Sequence, residues 1–281
     1  MKILVTGAGG VVGRAVVAHC EAQGDTVTGY AHNELDIGVA SLVTTEMARV
    51  RPDYVINCAA WTDVDGCEKD PARAEEANAA GPENLARACR EVGAGLVTIS
   101  TDYVFDGTRE GFYTQRDDPN PLSVYGVTKL AGERRAQNAL ARTIVIRTGW
   151  VFGVGGRNFQ SRVVELVRNG AQLSVINDAY GTPTFAGDLA IRLRELAQLD
   201  MPGLFHAVNS GPGVSYEEFA RAALQLAGLT ADGLKGVGSE SLQRPAPRPR
   251  QTRLACLWTE RLGLEPLPDW TDSVRRWLAL K

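Results

Sequence analysis

The sequence lacks most of what would mark a secreted, membrane-spanning or nucleic-acid-coating protein. Its five cysteines (Cys20, Cys58, Cys67, Cys89 and Cys256) are odd in number and scattered, with no C-x-x-C, which excludes a disulfide framework and fits reduced thiols. The three histidines, His19, His32 and His206, form no spaced ligand set, so no metal is expected. No apolar run reaches membrane-spanning length, and residues 1–5 lead straight into a glycine turn rather than a signal peptide. The expectation is a cytoplasmic protein with no membrane partner. A net charge of -3 and the absence of a long basic run argue against a nucleic-acid partner. What is present is ordinary for a globular α/β protein: 281 residues, 44% hydrophobic, 22% charged, with 30 glycines. That length can bury one large core or two modest ones.

The first half alternates strand and helix patterns. Residues 2–6 form a short β-branched apolar run, read as a buried strand, which meets Gly7-Ala8-Gly9-Gly10-Val11-Val12-Gly13 and then a helical pattern. Strand, glycine turn and helix make the context of a dinucleotide-binding loop. Gly7 allows the turn, Gly10 lets backbone approach a pyrophosphate, and Gly13 lets helix and strand pack closely. A second strand, 26–30, ends in Tyr30 rather than in the carboxylate that would hold an unmodified ribose. Glu34 and Asp36 come later, and His32 can meet a 2′-phosphate, which points to NADPH, with NADH as the alternative. A third strand, 54–57, ends in Asn57-Cys58-Ala59-Ala60, small residues suited to lie along a cofactor. A helix containing Asn78 leads to a fourth strand, 95–100, which delivers Thr101-Asp102-Tyr103-Val104-Phe105 at its carboxyl end. Such alternation predicts right-handed crossovers and a parallel sheet with ligands beyond the strand ends.

Pro119 and Pro121 break the chain before a helix capped by Ser123, and that helix carries Tyr125 and Lys129 one turn apart on one face. Ketone reduction by a nicotinamide needs a proton donor at the carbonyl oxygen. A phenol has an ordinary pKa of about 10, and a nearby ammonium is expected to lower it by favouring the phenolate. A Thr101 hydroxyl is expected to hold the same carbonyl oxygen. In the second half, a fifth strand, 143–147, leads to Trp150, which either packs on a sugar or base or fills the core. Helices are predicted at 158–168, 186–199 and 215–227 and a strand at 203–208, with a polar loop at 178–184. Residues 244–253 hold four arginines and three prolines; a guanidinium there can grip a diphosphate, Arg248 first and Arg253 second. Asp63, Asp65 and Glu68 read as solvated loop acids.

These stretches together resemble the extended short-chain dehydrogenase/reductases, and more narrowly the dTDP-4-dehydrorhamnose reductases. The resemblance is carried by TGAGGVVG (6–13), AAWTDVDGCE (59–68), STDYVFDG (100–107), YGVTKLAGE (125–133), RTGWVFG (147–153), INDAYGTPT (176–184) and LPDW (267–270). It implies that Thr101, Tyr125 and Lys129 form a catalytic triad acting on C4 of a keto sugar, dTDP-4-dehydro-6-deoxy-L-mannose, to give dTDP-L-rhamnose. The expected cofactor contacts are Gly7, Gly10, Val11, Val12, Gly13, Tyr30, His32, Asp36, Ile37, Cys58, Ala59, Ala60, Thr62, Asn78, Tyr125 and Lys129. The expected substrate contacts are Thr101, Asp102, Val104, Phe105, Tyr125, Trp150 and Arg248.

The expected fold is a Rossmann-type doubly wound parallel sheet with a smaller mixed α/β substrate-binding part. Residues 1–150 plus about 177–209 are assigned to the dinucleotide and about 151–176 plus 210–281 to the substrate. The chain departs from the family at Ala179, where a Gln is usual, and at Arg248-Pro249-Arg250-Gln251-Thr252, where R-P-x-N-S is usual. Arg14 opens the first helix, and acids that join metal-linked dimers in some members have no counterpart; a homodimer stays open. Two alternatives remain. One is another sugar-nucleotide reductase, epimerase or dehydratase, although a dehydratase's Asp-Glu pair is here Asp102-Tyr103. The other is a non-enzymatic subunit like the methionine adenosyltransferase β-subunit.

Overall fold

The computed structural model describes residues 1–280. The chain opens with β1 (Lys2–Thr6), turns through the glycines into α1 (Val11–Ala22), and continues as β2 (Thr26–Tyr30), α2 (Ala40–Val50) and β3 (Tyr54–Asn57). The next crossover is built from α3 (Val64–Lys69), α4 (Pro71–Glu75), a π-helical turn (Glu76–Ala80) and α5 (Gly81–Val92), and ends in β4 (Gly95–Thr101). A single 3₁₀ turn, Asp102–Val104, caps that strand, after which α6 (Val124–Ala139) returns to β5 (Thr143–Thr148).

The chain then leaves the sheet through β6 (Val151–Phe152), α7 (Phe159–Arg168), β7 (Leu173–Ile176), β8 (Tyr180–Gly181) and β9 (Thr184–Phe185). It comes back along α8 (Ala186–Leu199) to β10 (Gly203–His206), and finishes with β11 (Val214–Ser215), α9 (Tyr216–Leu226), β12 (Leu234–Val237) and α10 (Trp270–Leu278).

Six strands pair in the order β2-β1-β3-β4-β5-β10, all parallel, as the alternation of strand and helix patterns predicts. Alternate residues of one strand feed opposite cores. On one face Ile3 and Val5 meet Val16 and Cys20 of α1 and Leu189 and Leu193 of α8. On the other, Leu4 meets Val43 and Met47 of α2, Leu85 and Cys89 of α5 and Ala136 of α6. A separate core, with Phe152, Val163, Phe219, Trp270, Val274 and Trp277, forms beyond β6. Burying each of these large side chains contributes about 1.5–3 kcal/mol.

The predicted 158–168 helix begins one residue later, because Asn158 is its cap and accepts from the Ser161 N–H at 3.0 Å. Ser215 and Glu218 form a reciprocal capping box at α9. The ladders β6–β9, β7–β12 and β8–β11 have two to four residues per strand, too short for periodicity to announce them. Among the described residues no helix is long and apolar enough to cross a membrane.

Candidate active site

The first sheet turn is packed so tightly that only glycine fits. Gly7 has φ +66°, and a Cβ on it would lie 2.7 Å from Ala59 N and Cys58 C. A Cβ on Gly13 would lie 2.1 Å from the Gly7 carbonyl oxygen. The helix α1 therefore starts hard against the ends of β1 and β3. Its cap, Gly10, has no side chain to satisfy the first N–H groups, and its first turn holds no acid, so its positive end is left for an anion.

That end faces a groove made of two adjoining cavities, which share Gly10 and Cys58, Ala59 and Ala60 as walls. One, of about 320 Å³, is lined by Gly7, His32, Asp36 and Ile37 together with Trp61, Arg73 and Ala77. The other, of about 460 Å³, is lined by Val11, Val12, Gly13, Thr62, Thr101, Asp102, Tyr125, Lys129 and Trp150. Most of the expected cofactor set thus meets in one groove. Two of its members do not line it. The Tyr30 hydroxyl is engaged by Glu46 and Arg49. The Asn78 amide is buried and spent on the Trp61 backbone, accepting from its N–H at 2.9 Å and donating to its carbonyl at 3.0 Å. Asn78 braces the groove wall from behind rather than facing it. Conversely, Arg73 was not foreseen: α4 carries its guanidinium 4.5 Å over the Trp61 ring and into the cavity that holds His32.

The Tyr125 helix is placed by short-range contacts. Ser123 accepts from the Gly126 N–H at 3.2 Å. A Cβ on Gly126 would lie 2.3 Å from the Tyr103 carbonyl oxygen, so glycine lets α6 seat against the Asp102–Val104 turn. Below, Arg147 of β5 donates to both oxygens of Glu133 at 2.9 and 2.7 Å, and Ser100 of β4 donates to the same carboxylate. This buried, fully bonded cluster ties α6 to two strands.

The expected electrostatics need correction here. Burial pushes the Tyr125 phenol above its ordinary pKa; a hydrogen bond with Thr101 opposes this, and the Asp102 and Cys67 charges add to it. Lys129 is not among the groups that shift it. The Lys129 ammonium instead donates to the Ile99 carbonyl at 2.7 Å, and burial lowers its pKa to about 8, with Glu133 opposing. Desolvation outweighs the Thr101 hydrogen bond, so the phenol keeps its proton.

Thr101 also differs from expectation. Its single proton goes to Asp102 Oδ1 at 3.0 Å, and it accepts from the Tyr103 N–H at 3.2 Å. Turned toward Tyr125 instead, the same hydroxyl proton favours the phenolate, which is why this contact opposes the rise of the phenol's pKa. Burial raises Asp102 to about 6, against hydrogen bonds from Thr252 and Thr101, and its Oδ2 has no partner.

A third cavity, about 260 Å³, opens on the far side of Tyr103, Trp150 and Tyr216, and its walls include Ala179, Arg244 and Arg248. Arg248 is held by Asp65 at 3.0 and 2.8 Å. The three loop acids are not simply solvated: Asp63 caps α3, Asp65 grips Arg248, and Glu68 accepts from the Val124 N–H at 2.7 Å. Arg253 lies elsewhere than expected, over the Phe112 and Tyr180 rings and against Gly213. Val104 and Phe105 are a further correction. Both are fully buried in a cluster with Tyr113, Leu130 and Leu254, where Phe105 stacks on Tyr113 at 4.2 Å, so their side chains do not face the sugar side.

Trp150 sits in left-handed backbone, φ 50°, which is strained by about 1–3 kcal/mol for a bulky residue. Among the described residues no cluster of three or more His, Cys, Asp or Glu is arranged to hold a metal ion.

Residues 1–280 match the family model described as the RmlD substrate binding domain. A Mycolicibacterium smegmatis protein named dTDP-4-dehydrorhamnose reductase is 39% identical over 277 residues, covering 98% of this chain and 84% of that one. A crystal structure of a dTDP-4-dehydrorhamnose reductase from Clostridium acetobutylicum superposes with a TM-score of 0.95 at 35% identity, over 100% of this chain and 99% of that one. That of the Bacillus anthracis enzyme in complex with NADP gives 0.96 at 31% identity, over 100% of both.

Proposed function

The chain belongs to the RmlD family, that of the dTDP-4-dehydrorhamnose reductases, and from that membership we propose a C4 reduction in which Tyr125 is the proton donor. The protein is an NAD(P)H-dependent oxidoreductase of dTDP-rhamnose biosynthesis, and its substrate is a dTDP-sugar. The reaction is reduction of dTDP-4-dehydro-6-deoxy-L-mannose to dTDP-L-rhamnose. The observation that carries the residue roles is convergence: Thr101, Asp102, Tyr125 and Lys129 line one cavity, and the open end of α1 lines it too.

The residues present fit a dinucleotide. The uncapped N-terminus of α1 takes the pyrophosphate, Ala59 and Ala60 lie along it, and Asp36 and Ile37 take the adenine end. Of the two cofactors NADPH is preferred: His32 and Arg73 line the same cavity, and a guanidinium suits a 2′-phosphate. When bound, the reduced nicotinamide supplies a hydride. Tyr125, buried and protonated, gives its proton to the oxygen of the reduced carbon. Thr101 holds that phenol in place, and Lys129 supplies positive charge and reaches the cofactor's ribose.

An elimination chemistry lacks its second acid, because Tyr103 follows Asp102 and its hydroxyl is shared with Tyr216. The test is to give the purified protein the keto sugar and follow the absorbance of reduced nicotinamide. Oxidation of NADPH faster than NADH is expected. No oxidation of either would sink the reading and favour the non-enzymatic alternative.

A further inference from the structure

Trp150 is the aromatic on which a sugar is expected to pack, yet one face of its ring is already covered. Tyr216 stacks on it with centroids 3.8 Å apart and planes 25° apart. The Gly181 backbone presses on it as well: a Cβ there would fall 2.2 Å from indole Cε2 and Nε1. With its backbone held at φ 50°, Trp150 is 9% exposed, and Tyr216 occupies one face of its indole. Tyr216, by contrast, is only half-buried. Together with Tyr103 and Trp150 it lines both the catalytic cavity and the arginine-lined cavity beyond. Its hydroxyl shares a hydrogen bond with that of Tyr103, whose ring meets Tyr125 edge-on at 6.0 Å. A sugar nucleotide with its diphosphate near the arginines and its ketone at Tyr125 must cross this row of aromatics.

We propose that Tyr216 is the residue that positions the hexose of the sugar nucleotide, with Trp150 acting as the backing that holds Tyr216 in place. The inference rests on the reductase reading above. A deoxy sugar presents both C–H surface and hydroxyls, and a phenol at the junction of the two cavities answers both, ring to C–H and oxygen to hydroxyl. Tyr216 is a positioning residue: from the junction of the two cavities it sets where the ketone lies relative to Tyr125.

The test compares Tyr216→Phe and Tyr216→Leu with the unaltered protein, by the rate of NADPH oxidation against keto-sugar concentration and by the affinities for NADPH, dTDP and dTDP-L-rhamnose. The Phe variant keeps the stack on Trp150, so its fold is protected, and its melting temperature is measured alongside. Losing one hydrogen bond should raise KM for the keto sugar about 5- to 10-fold in Tyr216→Phe. Losing the ring as well should raise it about 50-fold or more in Tyr216→Leu. Affinity for dTDP-L-rhamnose should fall in parallel, while NADPH and dTDP affinities stay unchanged. An active parent protein with unchanged KM in both variants overturns the inference and leaves the reductase reading standing. An inert parent overturns both.

Discussion

The two walls of the cleft are built by different rules. The α6 wall rests on Glu133 and Arg147, each about 4% exposed, joined by two hydrogen bonds and completed by Ser100. The opposite wall is a proline-stiffened loop held by ion pairs that water reaches. Arg248–Asp65 is 21% and 31% exposed, and Arg250–Glu240 is 52% and 84% exposed. A buried, fully bonded pair fixes geometry because losing either partner strands a charge; an exposed pair holds a loop loosely because water replaces it. The proposed proton donor therefore sits on the wall that cannot adjust, and the arginine proposed for the diphosphate on the wall that can.

Four substitutions break or sharpen that contrast, from largest expected effect to smallest. Tyr125→Phe on the rigid wall should cut kcat by about 10²–10⁴-fold, as for loss of a general acid, with NADPH affinity unchanged by fluorescence titration. Loss of cofactor binding would make the phenol a structural group instead. Glu133→Gln strands the Arg147 charge and should cost about 3–5 kcal/mol in urea unfolding. A cost below that of Arg248→Ala would overturn the contrast between the walls.

Asp102→Asn should stabilise. The carboxyl's folded pKa of about 6 lies above its ordinary 3.8. The native state thus binds a proton more tightly than the unfolded chain, and stability falls as pH rises from 3.8 through about 6. Removing the group should recover up to about 3 kcal/mol at pH 7.5, a gain that vanishes near pH 4. Unfolding at the two pH values checks it; an equal effect at both would mean the carboxyl does not titrate there. Arg248→Ala, on the adjustable wall, should raise KM for the sugar nucleotide about 10-fold and change stability by at most about 1 kcal/mol. Unchanged KM would remove Arg248 from the diphosphate site.

Features that depend on neighbours in sequence could be read directly. The β1 turn needs glycine at Gly7 and Gly13, Ser215 and Glu218 cap α9 reciprocally, and Tyr125 and Lys129 share a face because a helix turns in about four residues. What could not be read depends on partners brought from afar. Arg73 reaches the His32 cavity because a helical crossover folds back over β3, and no spacing rule links the two. Val104 and Phe105 follow Thr101 in the same run, but a single 3₁₀ turn swings them into the core, leaving Thr101 and Asp102 on the cleft. Lys129 has the expected place and a different partner, because spacing along a helix fixes a face and leaves the bond to the strand beneath. Tyr216 was hidden as the first residue of a well-capped helix; the signal that could have found it is the aromatic set directly after the Ser215 cap.

The contact between Gly181 and Trp150 also limits how such a sequence can drift. Any side chain at 181 would occupy the indole's space, and any shrinkage at 150 would empty the space behind Tyr216. Neither position can vary alone without loss, so their effects are not additive: a residue with a side chain at 181 is tolerated only on a background where 150 has already become small. Two loops that never neighbour each other in sequence must change together, and in that order.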